Sequence, residues 1–383
     1  MALSKIDSDG IVSGGITADS LNIGQIGGRR NLIINGDMAI SQRNTSFTNP
    51  LNQYTLDRWI SQLDTTSARS TVTQESSGGP SGFRNFLRVT VTTADATLDS
   101  SDLQNIKQII EGYNMRHTDQ GTSDAETLTC SFWVRSSVTG TYSATLYLNS
   151  TGTQYAYPAE YTINSANTWE YKTVTFSPQT TSASWVSSGY TNGEYAQLRF
   201  GLMIGSGQGG TADTWNASNK FGASGQTNLF ATNGATWDLT GVQLEVGSVA
   251  TPFEHRSYGE ELAACQRYYQ SSYNMGVSPG SSVDDFAGNN GGQGVYHAFG
   301  TNVSGGVASS IGSFVTQMRT RPTVTVYDHS GNSGKITTFD SGSSPTANQS
   351  YNAVRQSQRQ IIVRTYQSSI FGFEYLYEAD AEL

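Results

Sequence analysis

Residues 128–149 read "LTCSFWVRSSVTGTYSATLYLN", and they decide the fold class. Leu128, Cys130, Phe132 and Val134 alternate with Thr129, Ser131, Trp133 and Arg135. A side-chain period of two belongs to a strand, because successive Cβ atoms leave a pleated backbone on opposite sides. The spacing predicts Leu128, Cys130, Phe132 and Val134 inward and Trp133 and Arg135 outward. The second half repeats the pattern. Tyr142, Ala144, Leu146 and Leu148 share one face and Tyr147 lies on the other. Ser, Thr and Gly between the two runs mark a turn. If the two strands are neighbours in one sheet, Trp133 and Tyr147 share an outward surface.

Further out, "FLRVTVTT" (86–93), "YKTVTFSP" (171–178), "AQLRFGLMI" (196–204) and "DLTGVQLEV" (238–246) are also strand-like. In the third of these, Leu198, Phe200 and Leu202 point inward, which leaves Gln197 and Arg199 outward. "SDLQNIKQIIEGYNM" (101–115) fits either a helix or a strand. Gly at 41 residues and charged residues at only 14% suit short strands joined by many turns. The expectation is an all-β chain with a jelly-roll or β-sandwich domain over 31–256. Residues 274–383, with "TVTVYD", "RQIIVRTY" and "FGFEYLYEADAEL", read as a second, smaller β-sandwich. Residues 1–30 scatter isolated Ile, Val and Leu among Gly, Ser and Asp. One copy of such an extended segment buries too little apolar surface to offset its ordering entropy. It is expected to order against sister chains or a larger assembly.

Residues 257–273 read as a linking helix. Ser257 and Glu260 fit a capping box, in which the N-cap hydroxyl and the N3 carboxylate each satisfy a backbone N–H. Leu262, Cys265 and Tyr269 fall on one stripe, with Tyr258 and Tyr268 close to it. By its spacing such a stripe is more often packed core than binding surface; in a trimer, Tyr258, Leu262, Cys265 and Tyr269 would face their counterparts around the axis.

The net charge is −9 and no Lys/Arg cluster stands out, which argues against nucleic acid as a partner. No apolar run approaches the ~20 residues that span a bilayer, so membrane insertion is not expected. "MALSKIDSDGIVSGG" lacks a signal peptide's apolar centre, which points to synthesis in the cytoplasm. Cys130 and Cys265 have no Cys or His at ligand spacing and read as buried, reduced thiols. No cofactor is expected. No catalytic motif is evident. His117, His255, His297 and His329 are far apart in sequence. Glu111, Asp124, Glu126, Glu160 and Glu194 read as solvated acids rather than a hydrolytic pair.

A flat aromatic flanked by polar donors suits a sugar ring, whose C–H face stacks while its hydroxyls are hydrogen-bonded. Trp133, Arg135, Tyr147 and Arg199 meet that description. So do Trp215, in the Gly-rich stretch 205–222, and Tyr157, in the Tyr-rich stretch 151–161. The alternative for the same face is a contact between protomers, where aromatics and Arg are also enriched. Tyr296, His297, Tyr327 and His329 are further candidates if residues 274–383 form a distal tip.

Several phrases carry a resemblance. "NLIINGDMAISQRNTS" (31–46), "YTLDRW" (54–59), "TWEYKTVTF" (168–176), "TGVQLEVGSVATPFEHRSYGEELAACQRYYQ" (240–270), "MRTRPTVTV" (318–326) and "ADAEL" (379–383) stand in this chain. Together they resemble a family of bacteriophage tail fibre and receptor-binding proteins with a carbohydrate-binding-module-like jelly roll. The resemblance implies a homotrimer carried on the virion tail. It also implies attachment to phage tail or baseplate proteins through residues 1–30, and adhesion to a host surface glycan such as lipopolysaccharide or capsule. Many such jelly rolls hold a structural calcium near the ends of the domain. Here Met38 and Ala39 replace the usual aromatic–acid pair, leaving Asp37, Asp238 and Glu245, and no metal is expected. Adhesion without catalysis is the reading. A purely structural tail adaptor and a glycan hydrolase are its alternatives.

Overall fold

The computed structural model describes residues 29–64, 67–149, 154–181, 191–283, 295–299, 308–339, 345–367 and 370–383. All but the last two residues of the expected attachment segment 1–30 lie outside the described residues, as does most of the loose stretch 281–294. The chain is all-β. Its first strands are β1 (Ser46–Thr48), β2 (Gln53–Tyr54), β3 (Trp59–Asp64), β4 (Arg69–Glu75) and β5 (Phe86–Thr93). Next come β6 (Leu103–Glu111), helix α1 (Gly112–Met115), β7 (Leu128–Ser136), β8 (Gly140–Leu148) and β9 (Tyr155–Ile163). Then follow β10 (Glu170–Phe176), β11 (Glu194–Ile204), β12 (Gly209–Gly210), β13 (Gly222–Ala223) and β14 (Thr236–Val246). Helix α2 (Tyr258–Gln266) precedes β15 (Tyr269–Ser271), β16 (Tyr296–Phe299), β17 (Ala308–Ser313), β18 (Thr323–Tyr327) and β19 (Ile336–Phe339). The chain ends with β20 (Thr346–Gln349), β21 (Ala353–Gln356), β22 (Gln360–Thr365) and β23 (Gly372–Asp380). Among the described residues no helix is long and apolar enough to cross a membrane.

Backbone packing divides the described residues into two compact units. One holds 29–36 and 95–255, the other 37–94 and 256–383. The first is a sandwich of two antiparallel sheets, β14–β7–β10 and β6–β11–β8–β9. Apart from the β8–β9 hairpin, the successive strands of these two sheets alternate between them, as in a jelly roll. The alternation read from the sequence holds side chain by side chain. Leu128, Cys130, Phe132, Val134, Tyr142, Ala144, Leu146, Leu148, Leu198, Phe200 and Leu202 are all fully buried. Phe132 stands edge-on to Tyr161 and to Phe200, each 5.0 Å between centroids, so the two sheets interlock through aromatic edges. Residues 101–115, open in the sequence, form β6 followed by the single turn α1.

The sheet assignment corrects one expectation. β7 and β8 follow each other directly but belong to different sheets, so residues 137–139 carry the chain across the sandwich. Gly140 makes that crossing possible, with φ +139° and no room for a Cβ against the Thr227 side chain. Trp133 and Tyr147 therefore lie on different sheets and share no surface.

"NLIING" docks on β14. Leu32 N donates to Leu244 O (2.8 Å), Val242 N to Gly36 O (2.9 Å) and Asn31 Nδ2 to Val242 O (3.0 Å). A register shift between Thr240 and Gln243 marks a bulge there.

In the second unit β1, β4 and β5 form an antiparallel run, and β2 pairs with β3. β23 is the axis of the remaining sheet, pairing with β15, β16, β18 and β19. β17, β22 and β21 form a separate sheet. Val326, Ile361, Val363, Phe373 and Tyr375 fill the core.

The sequence reads 31–256 as one module, whereas the packing joins 37–94 to the C-terminal residues. A buried charged cluster supplies the physical reason. Arg58, 1% exposed in its side chain, is ion-paired with Glu382 and lies 3.6 Å over the Tyr268 ring. Arg43 lies 3.6 Å over Tyr269 and reaches Asp380 (3.3 Å) and Glu382 (3.4 Å). Asp57 accepts from the backbone and side-chain nitrogens of Gln42, both at 2.6 Å. Burial, the largest influence, would by itself lower the pKa of Arg58, but Glu382 together with Tyr268, Tyr54 and Cys265 outweighs it, so the net shift is upward and the guanidinium stays charged.

Helix α2 begins as the sequence predicts. Ser257 Oγ accepts from Glu260 N, and the Glu260 carboxylate accepts from Ser257 N (3.0 Å). It ends at Gln266, short of the expected residue 273, because residues 269–271 pair with β23. This corrects the expected stripe. Tyr269 is a strand residue, 1% exposed beneath Arg43, and Cys265 is wholly buried within its own chain. Both have burial partners without a sister chain. Tyr258 is 56% exposed and Leu262 is half-buried. Cys130 and Cys265 are free thiols, and burial pushes the pKa of each upward.

Candidate functional site

The outward face of β7 and β10 carries a two-by-two group of side chains. Trp133 opposes Tyr171 in the register, with ring centroids 5.4 Å apart. One pair further along, the Arg135 guanidinium lies 4.6 Å over the Trp169 ring. Arg135 Nε also donates to Asp238 Oδ2 on β14 at 2.7 Å, and this contact holds the guanidinium flat against the sheet. Tyr171 is 46% exposed, while Trp133, Arg135 and Trp169 are half-buried. The result is an exposed aromatic step beside a fixed cation, on rigid strands.

Trp169 sits in the turn from β9 to β10, and Glu170 shapes that turn. Its carboxylate accepts from Asn164 N (2.9 Å), Asn164 Nδ2 (3.0 Å), Ser165 N (2.8 Å) and Lys172 Nζ (2.6 Å). Desolvation alone would raise its pKa. The bonds from Lys172, Ser165 and Asn164 outweigh it and hold the group down from 4.5 to about 2. The folded pKa lies below the unfolded one, so this contribution to the turn is complete above pH 4.5 and lost as pH falls toward 2. The Ser165 amide resonance is expected to titrate with a midpoint near 2. A midpoint near 4.5 would show that the carboxylate does not hold the turn.

Tyr147 and Arg199 lie together on the other sheet, on the outward side of β8 and β11. The Arg199 guanidinium is 4.9 Å from the Tyr147 ring centre and 4.3 Å from that of Phe221. Tyr147 OH donates to Asn219 Oδ1 at 2.8 Å. Tyr147 is 6% and Arg199 3% exposed, because the chain's own segment carrying Asn219 and Phe221 covers them. Tyr157 is a core side chain, edge-on to Phe176 (5.8 Å) and to Trp215 (5.3 Å), and it points into the sandwich. Trp215 is half-buried at that rim, its Nε1 donating to Ser177 O at 2.9 Å. The six residues singled out in the sequence thus fall into three separate groups, of which Trp133 with Arg135 is the one on an open face.

Asp238 is occupied by Arg135, and Glu245 accepts from Thr251 N (2.8 Å), Thr251 Oγ1 (2.6 Å) and Gln243 Nε2 (2.8 Å). Asp37 accepts from Ala39 N. Among the described residues no three His, Cys, Asp or Glu side chains converge as metal ligands. In the second unit His297 and His329 flank the buried Glu374 carboxylate at 3.5 and 3.6 Å, Tyr296 stacks on Tyr375, and Tyr327 is buried. Of the acids considered for hydrolysis, Glu111 is 1% exposed and Glu194 accepts from Asn149 Nδ2 at 3.0 Å.

The sequence reading passed over Trp169 and Tyr171. The signal was present in "TWEYKTVTF", where inward Val174 and Phe176 leave positions 169 and 171 outward.

No protein-family model matches this chain, and no curated protein does either. Among solved structures it is similar to the enzymatically active domain of tailspike protein 4 of bacteriophage CBA120. The identity is 14%, coverage is 56% of this chain and 21% of that one, and the TM-score is 0.31. It is also similar to the CBM22-1 xylan-binding domain of Xyn10C from Paenibacillus barcinonensis (10% identity, 55% and 99% covered, TM-score 0.25). A third is the family 11 carbohydrate-binding module of Lic26A-Cel5E from Clostridium thermocellum (12%, 55% and 99%, TM-score 0.26).

Proposed function

We propose that this chain is a non-catalytic adhesin of a phage tail that grips a surface glycan on the outward face of β7 and β10. The observation that carries the reading is the exposed Trp133–Tyr171 step flanked by Arg135 over Trp169. A sugar ring would lay its C–H face on the step, and the guanidinium edge would donate to its hydroxyls. The tail role rests on the sequence phrases given above. In this reading residues 1–30 attach to tail or baseplate proteins. A homotrimer multiplies weak sites by raising effective concentration. Tyr258 and Leu262 are what α2 offers to a sister chain.

Trp133→Ala is expected to weaken binding of the full chain to host surface polysaccharide by about tenfold, the scale of one lost aromatic contact. Circular dichroism and the oligomer mass by light scattering should not change. Calorimetric titration giving the same affinity for both proteins would remove this face from the reading. Loss of the oligomer would identify it as a protomer contact. The polysaccharide is expected to keep its length during incubation, and release of oligosaccharides would favour the hydrolase.

A further inference from the structure

A polar cleft of about 320 Å³ opens in the second unit, at the edge strand β1, away from the β7–β10 face and with Tyr327, one of the further candidates, in its lining. Its floor is a carboxylate held in place. Glu378 accepts from Tyr327 OH at 2.6 Å through one oxygen and from Tyr269 OH at 2.9 Å through the other. Arg43 lines the same cleft, and its buried Nη1 has no hydrogen-bond partner among the described residues. Ser46, Gln53 and Ser278 add neutral donors and acceptors, and Tyr327 adds a ring.

We propose that this cleft is a second carbohydrate site, taking one neutral hexose end-on. The volume is at the small end for a ligand pocket and suits a single ring. The charges argue for a neutral ligand. An anion would meet Glu378 while Arg43 is already paired with Asp380 and Glu382, and a cation would meet Arg43. A pair of vicinal hydroxyls satisfies both walls at once. One donates to the remaining lone pairs of Glu378 and its neighbour accepts from the Arg43 guanidinium in the cleft wall. The Tyr327 ring supplies a surface for a C–H face. The inference extends the glycan-binding reading but stands on residues that reading does not use.

Saturation-transfer NMR on the full chain, with glucose, galactose, mannose and N-acetylglucosamine as probes and glucuronate as the charged control, tests it. At least one neutral sugar should receive saturation from the Trp133→Ala chain, in which the sheet-face step is removed, and glucuronate should receive none. Adding Ser278→Trp to that variant, which fills the cleft from an exposed loop position, should abolish the signal. Glu378→Gln should weaken the affinity at least about tenfold, the scale of a lost charge-assisted hydrogen bond. If Ser278→Trp alters the circular dichroism, Glu378→Gln decides. No transfer to any neutral sugar, or transfer that survives the cleft variants, overturns the proposal. Failure of Trp133→Ala to affect polysaccharide binding sinks the sheet-face reading and leaves this one standing.

Discussion

Arg58→Ala is expected to lower the free energy of unfolding by about 3–5 kcal/mol, the scale of breaking a buried ion pair from one side. Arg58 and Glu382 are 1% and 4% exposed in their side chains, so removing the guanidinium strands a carboxylate away from water. The Tyr268 ring also loses the cation stacked on it. The C-terminal residues are anchored to the same place, with Arg319 donating to Ala381 O (2.7 Å) and Glu382 O (2.6 Å) and Tyr54 OH to Leu383 O (3.0 Å). Urea unfolding of the full chain measures the loss. The double variant Arg58→Met, Glu382→Leu is expected to recover most of it, because a buried pair replaced by apolar groups leaves no orphan charge. A single variant costing less than about 1 kcal/mol, as for an exposed pair, would show that the cluster is not buried in solution.

Phe132→Ala should cost a similar amount, about 3–5 kcal/mol, for a different reason. The ring is fully buried and meets Tyr161 and Phe200 edge-on from the opposite sheet, so truncation leaves a cavity between two rigid layers. The adjacent substitution Trp133→Ala is expected to cost less than about 1 kcal/mol, since that indole packs on an open face beside Tyr171. Two neighbouring aromatics with opposite outcomes in thermal or urea unfolding test the strand face directly. Equal losses would mean that the outward surface of β7 is covered.

Much of the first unit was legible. The inward residues of β7, β8 and β11 are those the alternation named, and in the second unit the Ser257–Glu260 capping box forms as spaced. The exposed step was half legible. Trp133 and Arg135 were picked out, while Tyr171 and Trp169 follow from the same rule on β10. Tyr147 and Arg199 were read as outward and Tyr157 as a candidate glycan contact, and all three are buried. Two of them lie under Phe221 and Asn219 from a distant loop, and the third points inward on β9.

The sequence by itself determined which side of each strand a residue occupies and where α2 begins, because pleat and cap depend on bonds within a few residues. Only the tertiary structure decided which sheet each strand joins, that β7 and β8 part company, and that 37–94 packs with the chain's end. Those outcomes depend on a crossing at Gly140 and on charges buried between segments more than 300 residues apart, such as Arg58 with Glu382 (|i−j| 324). No local pattern of side chains records contacts made across such distances.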